Sequence, residues 1–305
     1  MAPLRRWSDR LALPAIAAPM TRVSTPKLVI AACRHGVIGG FPTHNAPSPS
    51  VLDEWLCRIG DEVGAVDAPV APNLVVHPSN ARRDADLACL VRHRPELVIT
   101  SVGSPESVIG PLHEVGTQVY ADVASLAHAQ RAVAAGADGL VLLTAGAGGQ
   151  TGWANPFAFV RAVRQRFDGL LVLAGGISDG QAIVAAETLG VDLVYLGTRF
   201  IATYESGADE GYRRACVDSS LDDVRLSDQV GGIPASLLAA WLDAEGQRSD
   251  ADTAGFRQDR LLSNQAAWSA GHSVSGVREI ASVATVIAAL AGEYRRARKS
   301  VESRP

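Results

Sequence analysis

Eight short runs rich in valine, leucine and isoleucine recur along the chain, each stopping at glycine, proline or a small polar residue before a helical pattern begins. They span 15–20, 36–41, 70–76, 97–103, 118–123, 139–145, 170–177 and 193–200, with starts roughly 20 to 35 residues apart. Such an interval holds a strand, a loop and a crossover helix, which is what parallel pairing requires. Strands this uniformly apolar need cover on both faces. Eight such units predict an α/β chain folded as a (β/α)₈ barrel, because closure removes both sheet edges. An open doubly wound sheet is the alternative.

The intervening helices are visible in the pattern too. Val51, Leu52, Trp55, Leu56 and Ile59 share one face, with Asp53, Glu54, Arg58 and Asp61 outside it. Gly136 is expected to cap the helix over 125–135 in the left-handed conformation. After the eighth run the rhythm breaks. Residues 203–268 are polar and acidic with no further clear strand, and are expected to form a lid insertion within a single domain of residues 1–305. An alanine-rich helix over 281–290 then completes the outer ring.

Composition narrows the partners. With 47% hydrophobic and 20% charged residues the chain can bury a sizeable core. A formal net charge of -4 and no basic stripe exclude nucleic acid and favour a small molecule. The basic stretch 294–299 reads as a helix C-terminus, where cations suit the dipole. Cys33, Cys57, Cys89 and Cys216 lie far apart with no CxxC pair, which predicts reduced thiols, a cytoplasmic location, no disulfide frame and no metal site. Arginines precede the first apolar run as in a signal peptide, but Asp9, Arg10, Pro14 and Pro19 interrupt it, so a strand is expected there. No run is long enough to span a membrane. Oligomeric state is left open, a homo-oligomer included.

In a barrel the loops after the strands' C-terminal ends gather at one mouth. Gly175-Gly176 follows the seventh run and Gly197-Thr198 the eighth, so their amides, a hydroxyl and the start of the next helix can converge on a phosphate. The turn from Gly146 to Gly152 contains four glycines in seven residues. It is expected to clear space for a flat ring, with Gly149 beside it and Gln150 as its largest side chain. His44, His77, His272 and Asp122 are the titratable groups expected near the mouth, and His77 and Asp122 are candidates for proton transfer.

Seven segments in order resemble the flavin-dependent nitronate monooxygenases and the related flavin enoyl-thioester reductases. They are "APM" at 18–20, "GVIGG" at 36–40, Asn73, "GADGLVLLTAGAGGQTG", "AGGISDG" at 174–180, "YLGTRFIATYES" at 195–206 and "WSAGHSV" at 268–274. The resemblance implies a TIM barrel holding FMN, with Met20 and Asn73 on the ring and ribityl chain, and Gly175, Gly176, Gly197 and Thr198 on the phosphate. It also suggests Gln118, on the fifth run, as a flavin contact.

One departure matters. The family usually reads AGGHxG in the glycine turn, and its histidine is the proposed base; here Gln150 stands there. A neutral amide takes no proton near pH 7 but does exchange hydrogen bonds. The resemblance therefore implies oxidation of an already deprotonated nitronate with O2, Gln150 orienting it. The alternative is a reductase passing hydride from NAD(P)H through FMN to an enoyl thioester on CoA or a carrier protein. A third option is a non-flavin barrel that binds a sugar phosphate or nucleotide.

Overall fold

Alternation along each short strand governs the architecture, since one face must meet helices while the other fills the inside of a ring. The computed structural model describes residues 6–245 and 255–303. Strands β1 (Ala15–Ala17), β2 (Ile38–Pro42), β3 (Val70–Val75), β4 (Leu97–Ser101), β5 (Gln118–Val123) and β6 (Gly139–Leu143) precede a two-residue strand, β7 (Gly149–Gln150). β8 (Leu170–Ala174), β9 (Leu193–Leu196), β10 (Val224–Ser227) and β11 (Ala235–Leu238) come after it. Every predicted run contributes one barrel strand: β1-β2-β3-β4-β5-β6-β8-β9 form a closed parallel ring, with β9 pairing back onto β1. The fold is a (β/α)₈ TIM barrel.

Strand parity sorts the core into two clusters. Ala17, Phe41, Leu74, Val98, Leu142 and Leu173 point outward and pack with the helices. Ile16, Ile38, Ala71, Ile99, Tyr120 and Val141 point inward and fill the ring. Trp7 joins this inner cluster and is fully buried. Its indole N–H donates to Glu96 Oε2 at 2.9 Å, and Arg10 grips both oxygens of the same carboxylate at 2.8 and 2.9 Å. Glu96 immediately precedes β4, so Trp7 and Tyr120, with ring centroids 6.4 Å apart, plug the N-terminal end of the barrel. Gly139 makes room for the tyrosine: a Cβ there would lie 2.7 Å from the Tyr120 ring.

The helices start where the sequence supplies oxygen caps. Ser48 caps Pro49–Glu62 and Ser125 caps Leu126–Ala134, while Gly136 beyond the latter has φ +97° as expected. The short helix after β9, Thr198–Ile201, leaves the outer ring open. The gap is filled by Val283–Glu302, which packs against Gly180–Leu189 and Pro26–Arg34. No helix among the described residues is long and apolar enough to cross a membrane.

Residues 203–268 depart from expectation, although 246–254 lie outside the described residues, as do 1–5 of the expected first-strand region. The segment contains two strands. β10 and β11 pair antiparallel, and β11 pairs with β7 through Ser236 and Gly149, and Ala235 and Gln150. Two- and four-residue strands carry too little periodicity to be read from sequence, and the partner of β11 lies inside a glycine turn.

That turn is crowded chiefly by the chain itself. A Cβ on Gly146 would come within 2.7 Å of His272 Nδ1, one on Gly148 within 2.7 Å of the Gly271 nitrogen, and one on Gly152 would strike the Leu143 carbonyl. The expectation that these glycines clear space for a ligand is corrected at Gly152, which admits the end of β6; Gly146 and Gly148 line the cavity at the barrel mouth with Gly149, but their missing side chains also admit the segment 270–272. Gly149 differs, because its φ of +64° requires glycine and an added Cβ would find only Ser269 at 4.0 Å.

This packing predicts the cost of two substitutions and the gain from a third. Trp7→Ala opens a cavity in the barrel floor and should cost about 3–5 kcal/mol, read as a lower denaturant midpoint. Gly148→Ala drives a methyl into backbone and should cost about 1–3 kcal/mol, whereas Gly60→Ala, exposed inside a helix, should gain about 0.5–1 kcal/mol.

Candidate active site

The inward positions above the apolar plug become polar. Asn73 of β3, Ser101 of β4, Asp122 of β5 and Tyr195 of β9 line one cavity of about 200 Å³ at the C-terminal ends of the strands, with Met20 beside them. Period-two alternation puts them there: Asp122 lies two residues beyond Tyr120, and Tyr195 two beyond Leu193. Ser101 Oγ donates to Asn73 Oδ1 at 3.0 Å. Asp122 Oδ1 and the Tyr195 hydroxyl are buried with no hydrogen-bond partner among the described residues. Burial pushes the Asp122 carboxyl up to about 8. Burial, then the nearby Asp122 charge, raises the Tyr195 phenol well above its ordinary value.

The wall is built by the loops after β6, β8 and β9. Gly149 and Gln150 line the cavity, held in place by the pairing of β7 with β11. Gly175 and Gly176 line it with φ of +125° and +73°, and a Cβ on Gly176 would meet nothing within 4 Å. Gly197 and Thr198 complete this side, and Thr198 Oγ1 accepts from the Gly271 amide at 2.9 Å. The helix start after β8 is not free for an anion. Asp179 caps it through the Ala182 amide at 2.8 Å, and Glu293 accepts from Gly180 N at 3.1 Å. The anion corner expected from the sequence is thus reduced to the glycine pair and Thr198.

Val230, Ile233, Ala235, Leu261 and Ala267 bring apolar surface to the same cavity from the segment after β9. Of the site residues, the sequence reading missed Tyr195 and these. Strand parity would have found the tyrosine.

Two predicted residues are elsewhere. Gln118 opens β5 at the plugged end, where its side chain accepts from the Tyr120 hydroxyl at 3.5 Å, so it does not line the cavity. Membership of a strand does not place a residue at the mouth; only its C-terminal end does. His77 is likewise absent from the lining: its Nδ1 bonds Ser79 Oγ at 2.8 Å and accepts from Ser79 N at 3.2 Å, while its ring meets Phe256 edge-on at 5.3 Å. These contacts tie the β3 loop to the segment 256–258, since Ser79 Oγ also accepts from Gln258 N at 3.1 Å.

Of the other histidines, His44 lines the cavity and meets Thr21 Oγ1 at 3.1 Å. Burial and the Arg82 charge lower it to about 4. His272 packs on Gly146 and donates its backbone N–H to the Gly146 carbonyl at 2.9 Å. Away from the cavity, Asp53, Cys57 and His93 bring ligand-type atoms within 4.8 Å of one another, but Arg92 already occupies the Asp53 carboxylate at 2.8 Å.

Nitronate monooxygenases recur among the proteins to which this chain is similar. A family model described as nitronate monooxygenase matches residues 79–293. A nitronate monooxygenase of Paraburkholderia phytofirmans is 30% identical over 277 residues, covering 76% of this chain and 75% of the relative. A 5-hydroxy-7a-methyl-1-oxo-octahydro-1H-indene-4-carboxyl-CoA dehydrogenase of Rhodococcus jostii is 26% identical over 225 residues, 74% of this chain and 62% of that protein. Among solved structures, nitroalkane oxidase from Streptomyces ansochromogenes superposes with a TM-score of 0.83 at 25% identity, covering 96% of this chain and 99% of that one. FabK from Thermotoga maritima shares the fold, with a TM-score of 0.82 at 24% identity over 98% and 97% of the two chains. With most of its length matched in sequence and in barrel topology, the chain belongs to the nitronate monooxygenase family of oxidoreductases.

Proposed function

We propose that the chain is an FMN-dependent enzyme that oxidises a small nitronate with dioxygen, Gln150 holding the nitro oxygens. The observation that carries this reading is Gln150 itself, held at the cavity rim by the pairing of β7 with β11 where the resemblance places a histidine base. Gln150 takes no proton near pH 7, His44, lowered to about 4 by burial and the Arg82 charge, is a weak base, and Asp122, whose carboxyl burial raises, sits on the cavity floor at the end of β5 and not in the glycine turn where the family's base stands. A neutral nitroalkane needs its carbon deprotonated. A nitronate does not.

The residues present fit FMN. The open Gly176 corner, Gly175, Gly197 and the Thr198 hydroxyl suit a phosphate, and Met20, Asn73, Gly149 and the unpartnered Asp122 and Tyr195 suit a polar ring system. Bound there, FMN would supply the electron acceptor for the substrate and a route to dioxygen. The chain's own work is binding and exclusion of water. Gln150 donates from its amide to the nitro oxygens, and the described part of 203–268 acts as a lid whose Val230, Ile233 and Leu261 keep the site dry.

An enoyl-thioester reductase using NAD(P)H would occupy the same cradle, and the likeness to a CoA-thioester dehydrogenase keeps that second reading in view. Anaerobic NADPH or NADH should reduce the flavin slowly under the first reading and rapidly under the second. In steady state, purified enzyme should turn over ethyl nitronate and barely act on nitroethane. Gln150→Ala should lower kcat/KM for the nitronate by roughly 10- to 100-fold, the value of a hydrogen bond to a charged group. Gln150→His should gain activity on nitroethane. Fast turnover of nitroethane that survives Gln150→Ala would overturn the assignment.

A further inference from the structure

Three buried polar atoms on residues lining the cavity lack a partner among the described residues: His44 Nδ1 and, on the barrel strands themselves, Asp122 Oδ1 and the Tyr195 hydroxyl. Buried donors and acceptors are nearly always paired, and leaving one unpaired carries the whole cost of its desolvation. Asp122 Oδ1 and the Tyr195 hydroxyl both break that rule, although Asn73 and Ser101 on neighbouring strands satisfy each other. Beneath them the lumen is apolar, with Val141, Val172 and Leu193 offering no acceptor. Whatever pairs with these atoms must enter from the cavity that both residues line.

The surroundings fix what that partner is. Asp122 is faced by Asn73 from β3, Ser101 from β4, Leu143 from β6 and Tyr195 from β9 around one cavity. Burial alone drives its shift, and no cationic neighbour favours its charged form. The other titratable groups lining the cavity are His44, neutral at pH 7, and Tyr212, whose hydroxyl donates to the Ser269 carbonyl. An un-ionised carboxyl offers one O–H donor, and a phenol offers another. Two donors converge on the floor.

We propose that Asp122 and Tyr195 recognise the polar edge of the cofactor ring, the Asp122 carboxyl and the Tyr195 phenol both donating to ring carbonyl or ring nitrogen acceptors. This rests on the flavin reading and adds to it a pH-dependent recognition pair. The sign is set by the raised carboxyl: the donor exists below about pH 8 and becomes a repelling carboxylate above it.

The test is equilibrium titration of the full-length protein with FMN, read by quenching of flavin fluorescence between about pH 7 and about pH 9.5. Affinity of the native protein should fall by roughly tenfold per pH unit above the break. Asp122→Asn keeps a donor that does not ionise, so its affinity should stay flat across the range. Tyr195→Phe should weaken binding roughly tenfold throughout while keeping the break. Both substitutions are nearly isosteric, and thermal melting checks that each variant is folded. FMN affinity that ignores pH and both substitutions overturns the pair and leaves the flavin reading standing. A native protein that takes up no FMN at any pH overturns both.

Discussion

The pairing of β9 back onto β1 is the contact on which the rest of the molecule depends. It turns eight short apolar strands into a ring, and in a ring every second side chain is committed to an interior of fixed width. Trp7 and Tyr120 consume that interior at one end, so space remains only at the other. The polar residues of the floor are there because their strands place them two positions beyond the plug. A slip of one residue in any strand would exchange them for outward-facing leucines and valines.

Much of this is legible in the sequence because buried parallel strands are uninterrupted apolar runs punctuated by glycine. Asn73, Asp122, Gln150, Gly176 and Thr198 lie near the ends of those runs or in the turns beyond them, which is where a barrel's mouth forms. Gln118 begins its strand instead and so sits at the opposite end. His77 lies just beyond a strand end, yet side-chain direction is decided by partners such as Ser79 and Phe256 that are remote or unmarked in sequence. The glycine turn is half legible: a missing side chain signals close approach, but the sequence does not say whether a ligand or residues 270–272 approach. Strands β10 and β11, with their contribution to the cavity, are invisible because their order comes from pairing with β7.

The chemistry depends on that same pairing. Gln150 reaches the cavity because β11 holds β7 at its rim, so the segment that brings apolar surface to the site also positions this amide. Below lies a carboxyl kept protonated by burial. The glycine turn thus presents a neutral amide in place of the family's histidine, which suits a substrate that arrives already activated.

The most direct test of the whole account is the absorption spectrum of the protein as purified, with the mass of any chromophore released on denaturation. A yellow protein releasing FMN in equal amount with the chain is the expected result. A colourless protein that also fails to take up added FMN would contradict the account at its centre, leaving a barrel whose mouth was shaped for some other ligand.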